Sequence, residues 1–309
     1  MLARGGVVAK HDTFSAAASA AGYYYQARLA LAEALRFAYA ESGVEVAIEK
    51  LDDVSFESAG SPLELLQSKH HIAKPADLTD YSADVWKTLR VWSSRVKQDP
   101  SLPSRTRFAL VTTSAASSGS AAALLRPSTP TSDRNVDKAT KLLVAVAKES
   151  SNAVLKSSFD EFLSLTSEMQ RSLLDAVDVL DASPNIVDLE SIIEERLKMI
   201  APRGKTKLAR EHLEGWWWPR ICKALLEPGV GKVSILELEA RLDDIREIMK
   251  RDALPVEMDN VEVDDQHLEA LDELTFVRQL RLNQAWSSTH RTCKARFLPC
   301  IHATIPLDP

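Results

Sequence analysis

The stretch from Gly43 to His71, GVEVAIEKLDDVSFESAGSPLELLQSKHH, constrains the chain more than any other. VEVAIEK, DVSFES and LELLQSK each read as a short strand, with a turn at Ala59-Gly60-Ser61-Pro62 between the last two. Strand residues two apart point the same way, so Gln67 and Lys69 project together, roughly 7 Å apart along the chain. Glu49, Asp52 and Asp53 fall at strand edges, and in a regular strand Asp52 points away from Asp53. Acids on one strand facing an acceptor-x-Lys pair on the next can hold a divalent cation. Phosphodiester cleavage needs such an ion and a positive donor for the phosphate in the transition state. The same residues also suit a charged turn with Lys69 in surface pairs, and spacing alone leaves both readings open.

The flanking pattern supplies a scaffold. Gly22 to Glu41 reads as an Ala- and Leu-rich helix closed by Ser42-Gly43, with an apolar stripe at Leu31, Leu35 and Tyr39. Gln26 and Glu33 share another face; Glu33 is either an acid brought over the sheet or a surface partner of Arg36. A second helix runs from about Tyr81 to Lys97 and buries Val85, Trp86, Leu89, Trp92 and Val96. Its Lys87, Arg90 and Lys97 form either a solvated face or a phosphate-tracking rim. RTRFALVTTS follows as an apolar strand. Helix, three strands, helix, strand implies an α/β domain with a mixed sheet flanked by helices.

Small residues, Ser and Pro dominate residues 114–135, and from Val136 onward helical periodicity prevails, SEMQRSLLDAVDVL included. Ser234 with Glu237 matches a capping box. The expected organisation is a flexible lead-in over 1–21, the α/β domain over 22–126 and a linker over 127–135. A mainly helical domain then spans 136–284, with an irregular tail at 285–309. GVGKVS at Gly229–Ser234 lacks the leading glycine of a phosphate loop and reads as a turn. His290, Cys293, Cys300 and His302 carry zinc-type ligands at a spacing that fits no structural zinc pattern. Three tryptophans in a row, Trp216 to Trp218, point in different directions on a helix, so at least one is expected at the surface.

Charge divides unevenly: residues 1–126 hold 14 Lys and Arg against 13 Asp and Glu, a net +1, while the remainder holds 24 against 31, a net −7. The first part is the more hospitable to a polyanion. Three scattered cysteines fit a reducing compartment. With no membrane span or cleavable signal in the pattern, a cytoplasmic protein without a membrane partner is expected.

GYYYQ at the head of a helix, then IEKLDDVSF, then LLQSKHH, then a strand ending in TT, together resemble the PD-(D/E)xK nuclease superfamily. The likeness covers about residues 22–115. It is nearer to the Mrr-like branch and to the double-stranded DNA endonuclease domains of bacterial antiphage defence effectors. The resemblance implies a restriction-endonuclease-like fold, with Asp53 as principal metal ligand and Glu33 or Glu49 as a further acid. Gln67 then stands where the superfamily has its second acid, as in the Mrr-like branch, and Lys69 stands at its lysine. The proline of the superfamily name is missing, since Leu51-Asp52 precedes Asp53. His70 or His71 is either a phosphate contact or a strand-end surface residue. The implied cofactor is Mg²⁺, with Mn²⁺ as substitute, and the implied partner is double-stranded DNA. RDALPVE and TFVRQLRL resemble C-terminal parts of effectors from ABC-type three-component defence systems. That makes the helical region a sensor or assembly module for partner defence proteins or a signal ligand, in a chain that could act as a homo-oligomer. The alternative is a non-catalytic DNA- or protein-binding scaffold with a nuclease-like fold. Asp53 and Lys69 side chains more than about 8–10 Å apart would favour it, since no single ion joins oxygens across that gap.

Overall fold

A computed structural model describes residues 17–40, 43–69, 77–226 and 231–249. The chain opens with helix α1 (Ala17–Phe37), followed by an antiparallel meander of β1 (Val44–Ile48), β2 (Val54–Ser58) and β3 (Ser61–Lys69). Helix α2 (Ala83–Gln98) crosses over to β4 (Arg107–Thr112), which pairs parallel to β3. Next come α3 (Ala121–Leu124), α4 (Val136–Glu149), α5 (Lys156–Leu163) and α6 (Ser167–Asp175), leading to β5 (Val177–Leu180), parallel to β4. Helices α7 (Asp188–Leu197) and α8 (Thr206–Leu226) precede the two-residue strand β6 (Val233–Ser234), and α9 (Ile235–Ile248) follows it. The sheet order is β5-β4-β3-β2-β1-β6, and it is mixed as expected.

Alternation along the strands builds two cores, one on each face. Val46, Val54, Phe56, Leu66 and Val111 pack under α1, α7, α8 and α9. Leu65, Phe108, Leu110, Val177 and Val179 pack with the second set of helices, α2 to α6. The meander turns tightly at Ala59-Gly60, where both residues have positive φ (48° and 79°), the geometry of a two-residue hairpin. Pro62 is tolerated early in β3 because the register shifts there, pairing Phe56 with Glu64 and Glu57 with Pro62.

Several expectations change. Residues 17–21, expected as lead-in, are already helical, and α1 ends at Phe37 instead of Glu41. Tyr39 therefore leaves the apolar stripe: it lies past the helix end, is 55% exposed, and donates its hydroxyl to Asp243 at 2.9 Å. The sheet also crosses the expected border between the α/β part and the helical part. β5 and β6, both from the supposed helical part, are the outer strands of the one sheet. The supposed linker and the residues just before it run along β5: Val179 N–H donates to the Leu125 carbonyl at 2.9 Å, and Arg134, within the linker, donates to the carbonyls of Asp175 and Val177. VDVL reads in the sequence as the end of a helix because four residues are too few for period-two alternation to stand out.

The tryptophan run divides as anticipated. Trp217 is buried and donates to the Ala27 carbonyl at 2.9 Å, while Trp218 is 40% exposed against Tyr24. Ser234 caps α9 and accepts from Leu236 N–H. No helix of the described residues is long and apolar enough to cross a membrane. His70, His71, the His290–His302 group, RDALPVE, TFVRQLRL and the expected tail lie outside the described residues.

Candidate active site

The β1–β2 connection, residues 49 to 53, is a tight loop closed by Glu49 N–H donating to the Asp53 carbonyl at 3.1 Å. Glu49 itself sits at φ 55°, a left-handed conformation that a non-glycine residue holds only where surroundings enforce it. Val54 pairs with Leu66, so Asp53, one residue earlier, stands across from Gln67. Both project from the sheet face that carries Leu65, beside α2.

Asp53, Gln67 and Lys69 meet there. Gln67 Nε2 donates to Asp53 Oδ1 at 2.9 Å, and Ser68 donates to Asp53 Oδ2 through its backbone N–H (2.8 Å) and its hydroxyl (3.1 Å). Lys69 Nζ donates to Gln67 Oε1 at 2.9 Å and lies 3.9 Å from Asp53 Oδ2. Glu49 joins from the loop. Its carboxyl is held above the usual range by burial and by the Asp53 charge, against the pull of a Gln26 hydrogen bond and the Lys69 charge. Gln26 reaches it from α1, and its own Oε1 is buried without a hydrogen-bond partner.

Asp52, expected to point away, lies under the cluster. It is 6% exposed and accepts from Trp92 Nε1 at 2.7 Å and from Gln67 Nε2. Burial pushes its carboxyl up to about 7; the Trp92 and Gln67 hydrogen bonds oppose this and the Asp53 charge adds to it. The sequence hides Asp52 because strand alternation does not extend into a loop. Trp92 falls in the buried stripe of α2, and its one polar atom is the available signal, since a buried indole N–H needs an acceptor.

Glu33 does not join the cluster, contrary to its assignment as a site residue and metal ligand. It lies seven residues past Gln26 along α1, roughly 10 Å at 1.5 Å per residue. There it pairs with Arg36 and, at 3.3 Å, with Arg196. Glu33 lines a separate cavity of about 1370 Å³ with Tyr25, Arg126 and Arg196. The expected phosphate rim on α2 also turns elsewhere: Arg90 donates to Ser157, and Lys97 to Ser164 beside Glu161, all on or just after α5. A further ionic group, unremarked in the sequence, shares the face of Asp53. Glu57 is 2% exposed and accepts from Lys50 (3.0 Å) and Lys232 (3.1 Å). Burial alone would raise its carboxyl, but these two ammonium groups hold it below the ordinary value.

Among the described residues, no group of three or more His, Cys, Asp or Glu side chains is arranged to hold a metal ion. The donors at the cluster are two carboxylates, Asp53 and Glu49, and the amide oxygen of Gln67. An all-oxygen set with few carboxylates suits a hard cation that keeps much of its water, as Mg²⁺ does.

No family model and no curated protein matches the chain. Among solved structures, the chain is similar to a Cap4 SAVED/CARF-domain containing receptor of Acinetobacter baumannii with the cyclic trinucleotide 3'3'3'-cAAA. That match has 13% identity over 73% of this chain and 44% of the receptor, with a TM-score of 0.41. It is also similar to the receptor with 2'3'3'-cAAA, at 12% identity over 90% and 60% of the two chains and a TM-score of 0.38. The chain thus spans about half the length of these receptors. Likeness at this level fixes neither fold nor function.

Proposed function

We propose that this protein is a metal-dependent endonuclease acting on double-stranded DNA, with the cluster at Asp53, Gln67 and Lys69 as its active site. One observation carries the reading: the Lys69 ammonium lies 3.9 Å from the Asp53 carboxylate and hydrogen-bonds Gln67 between them. That is well inside the separation at which a scaffold would have been the better reading. Asp53 and Gln67 would hold Mg²⁺ or Mn²⁺, with Glu49 as the second carboxylate. When bound, such an ion polarises a phosphoryl oxygen and makes a water nucleophilic near neutral pH. Lys69 donates to the non-bridging oxygens as charge develops on them, the kind of preorganised contact that favours the transition state over the ground state. Gln67 aligns that ammonium without adding negative charge, and Ser68 keeps the Asp53 carboxylate turned toward both.

The place of this activity in antiphage defence rests on the sequence resemblance of residues 22–115, and a cytoplasmic setting on the few, scattered cysteines. Control by partner proteins or a signal ligand rests on the likeness of RDALPVE and TFVRQLRL to effectors of three-component defence systems.

Cleavage of plasmid and linear double-stranded DNA with Mg²⁺, Mn²⁺ or EDTA tests the proposal. Wild type cuts with either metal and not with EDTA. Lys69→Ala loses on the order of 10²–10³-fold or more, the usual effect of removing one transition-state donor. Full activity in that variant would remove the mechanism. Absence of both cleavage and calorimetric metal binding in wild type would leave the scaffold reading.

A further inference from the structure

The Gln67 amide has two unlike ends, and only one orientation suits its neighbours. Its nitrogen bears two protons and faces two carboxylates, Asp52 and Asp53. Its oxygen faces the Lys69 ammonium at 2.9 Å. Turned by 180°, the oxygen would face the carboxyl oxygens of Asp52 and Asp53 and the nitrogen a cation, giving up the hydrogen bonds that the amide now makes. Asp53 cannot hold this orientation alone, because the same carboxylate is the one assigned to a metal ion. Asp52 is free of that duty: it is buried beneath Gln67, and Trp92 Nε1 fixes it from α2 at 2.7 Å. Trp92 is itself wholly buried against Phe108, with ring centroids 5.3 Å apart.

We infer that Asp52 is a positioning residue for the active site, which through Trp92 and Gln67 turns the Gln67 oxygen outward toward Lys69 and the cation. The inference rests on the nuclease reading for its consequence and on hydrogen bonding alone for its geometry. An outer carboxylate that orients a ligand is commonly worth 10- to 100-fold in metal affinity.

The test inverts the hydrogen-bond polarity. In Asp52→Asn the new side chain still accepts from Trp92 through its oxygen, but it presents an NH₂ to Gln67. Gln67 then meets a donor instead of an acceptor on its inner side, so its amide is no longer held from below with its oxygen toward Lys69. Mn²⁺ affinity, measured by calorimetry without DNA, falls about 10- to 100-fold. Adding Gln67→Glu restores most of it, because a carboxylate accepts from the new amide and still offers an oxygen to the metal. A merely structural role for Asp52 predicts that Gln67→Glu raises the affinity by the same factor whether residue 52 is Asp or Asn. Side-chain amide NMR gives a readout independent of metal. The Gln67 NH₂ pair, identified by its loss in Gln67→Glu, is protected from exchange in wild type and loses protection in Asp52→Asn. Unchanged Gln67 signals in Asp52→Asn, or a binding loss that Gln67→Glu does not relieve, would overturn the inference. If wild type neither binds Mn²⁺ nor cuts DNA, the nuclease reading fails, while the amide signals still decide the orientation.

Discussion

Glu64 stands on β3 three residues before Gln67 and faces the other side of the sheet, where Arg36 donates to it at 3.4 Å. Burial raises its carboxyl above the ordinary range; Arg36 and Arg107 oppose that shift and Glu33 adds to it. A carboxyl that holds its proton more tightly folded than unfolded favours the folded state most at low pH. That advantage is lost as pH rises from the usual carboxylate range through the folded value. In Glu64→Gln the melting temperature relative to wild type should therefore be higher at pH 7 than at pH 4; a difference that stays flat or falls with pH would contradict this. Residue-scale chemistry is partly legible in the sequence. Period-two spacing pairs Gln67 with Lys69, and the structure brings them together with Asp53. Helix-face geometry leaves Glu33 open between an acid over the sheet and a partner of Arg36, and the resemblance assigns it to the metal. The structure pairs it with Arg36 and also with Arg196, which no local pattern could supply. Asp52 is hidden because its role depends on Trp92, forty residues away.

At the scale of elements, the β2–β3 hairpin is the most readable part, since Ala-Gly between two apolar alternating runs is a turn signal in itself. Its geometry makes a clean prediction. Gly60 at φ 79° has nothing within 4 Å of where a Cβ would sit, so Gly60→Ala meets only backbone strain. Strain of about 1–2 kcal/mol, less about 0.4–1 kcal/mol from the stiffer unfolded chain, should leave a net loss of about 1 kcal/mol in chemical denaturation. Ala59 already bears such strain at φ 48°. Ala59→Asn, a residue that tolerates this conformation, should raise stability by roughly 0.5–1 kcal/mol. Ala59→Gly should change it little, because the added freedom of the unfolded chain, about 0.4–1 kcal/mol, offsets the relief. The turn is at the opposite end of β2 and β3 from Asp53 and Gln67, so metal affinity should not move in any of the three. β5 and β6 are not legible, because strands of four and two residues carry no periodic signal and owe their form to β4 and β1.

For the whole molecule, the change in charge and composition near residue 126 looks like a domain border, and the sheet crosses it. A fragment ending at residue 126 would leave β4 without its outer neighbour and strip α4 to α6 from Phe108 and Leu110. It should therefore aggregate or lack a cooperative thermal transition by circular dichroism; a sharp, reversible melt would restore the two-domain view. The sheet's other edge bears on synthesis. β1, β2 and β3 lie within 26 residues, so Asp53, Gln67 and Lys69 come together from short-range pairings that form early. The outer neighbour of β1 arrives much later: Lys232, which pairs with Glu45, is 187 residues further on. At ribosomal speeds that gap is about 10 to 40 s. During it, β1 is an unpaired edge able to zip onto the same segment of a neighbouring nascent chain. The two residues of β6 thus act as a late clasp, and polysome crowding is the circumstance in which its delay would be felt.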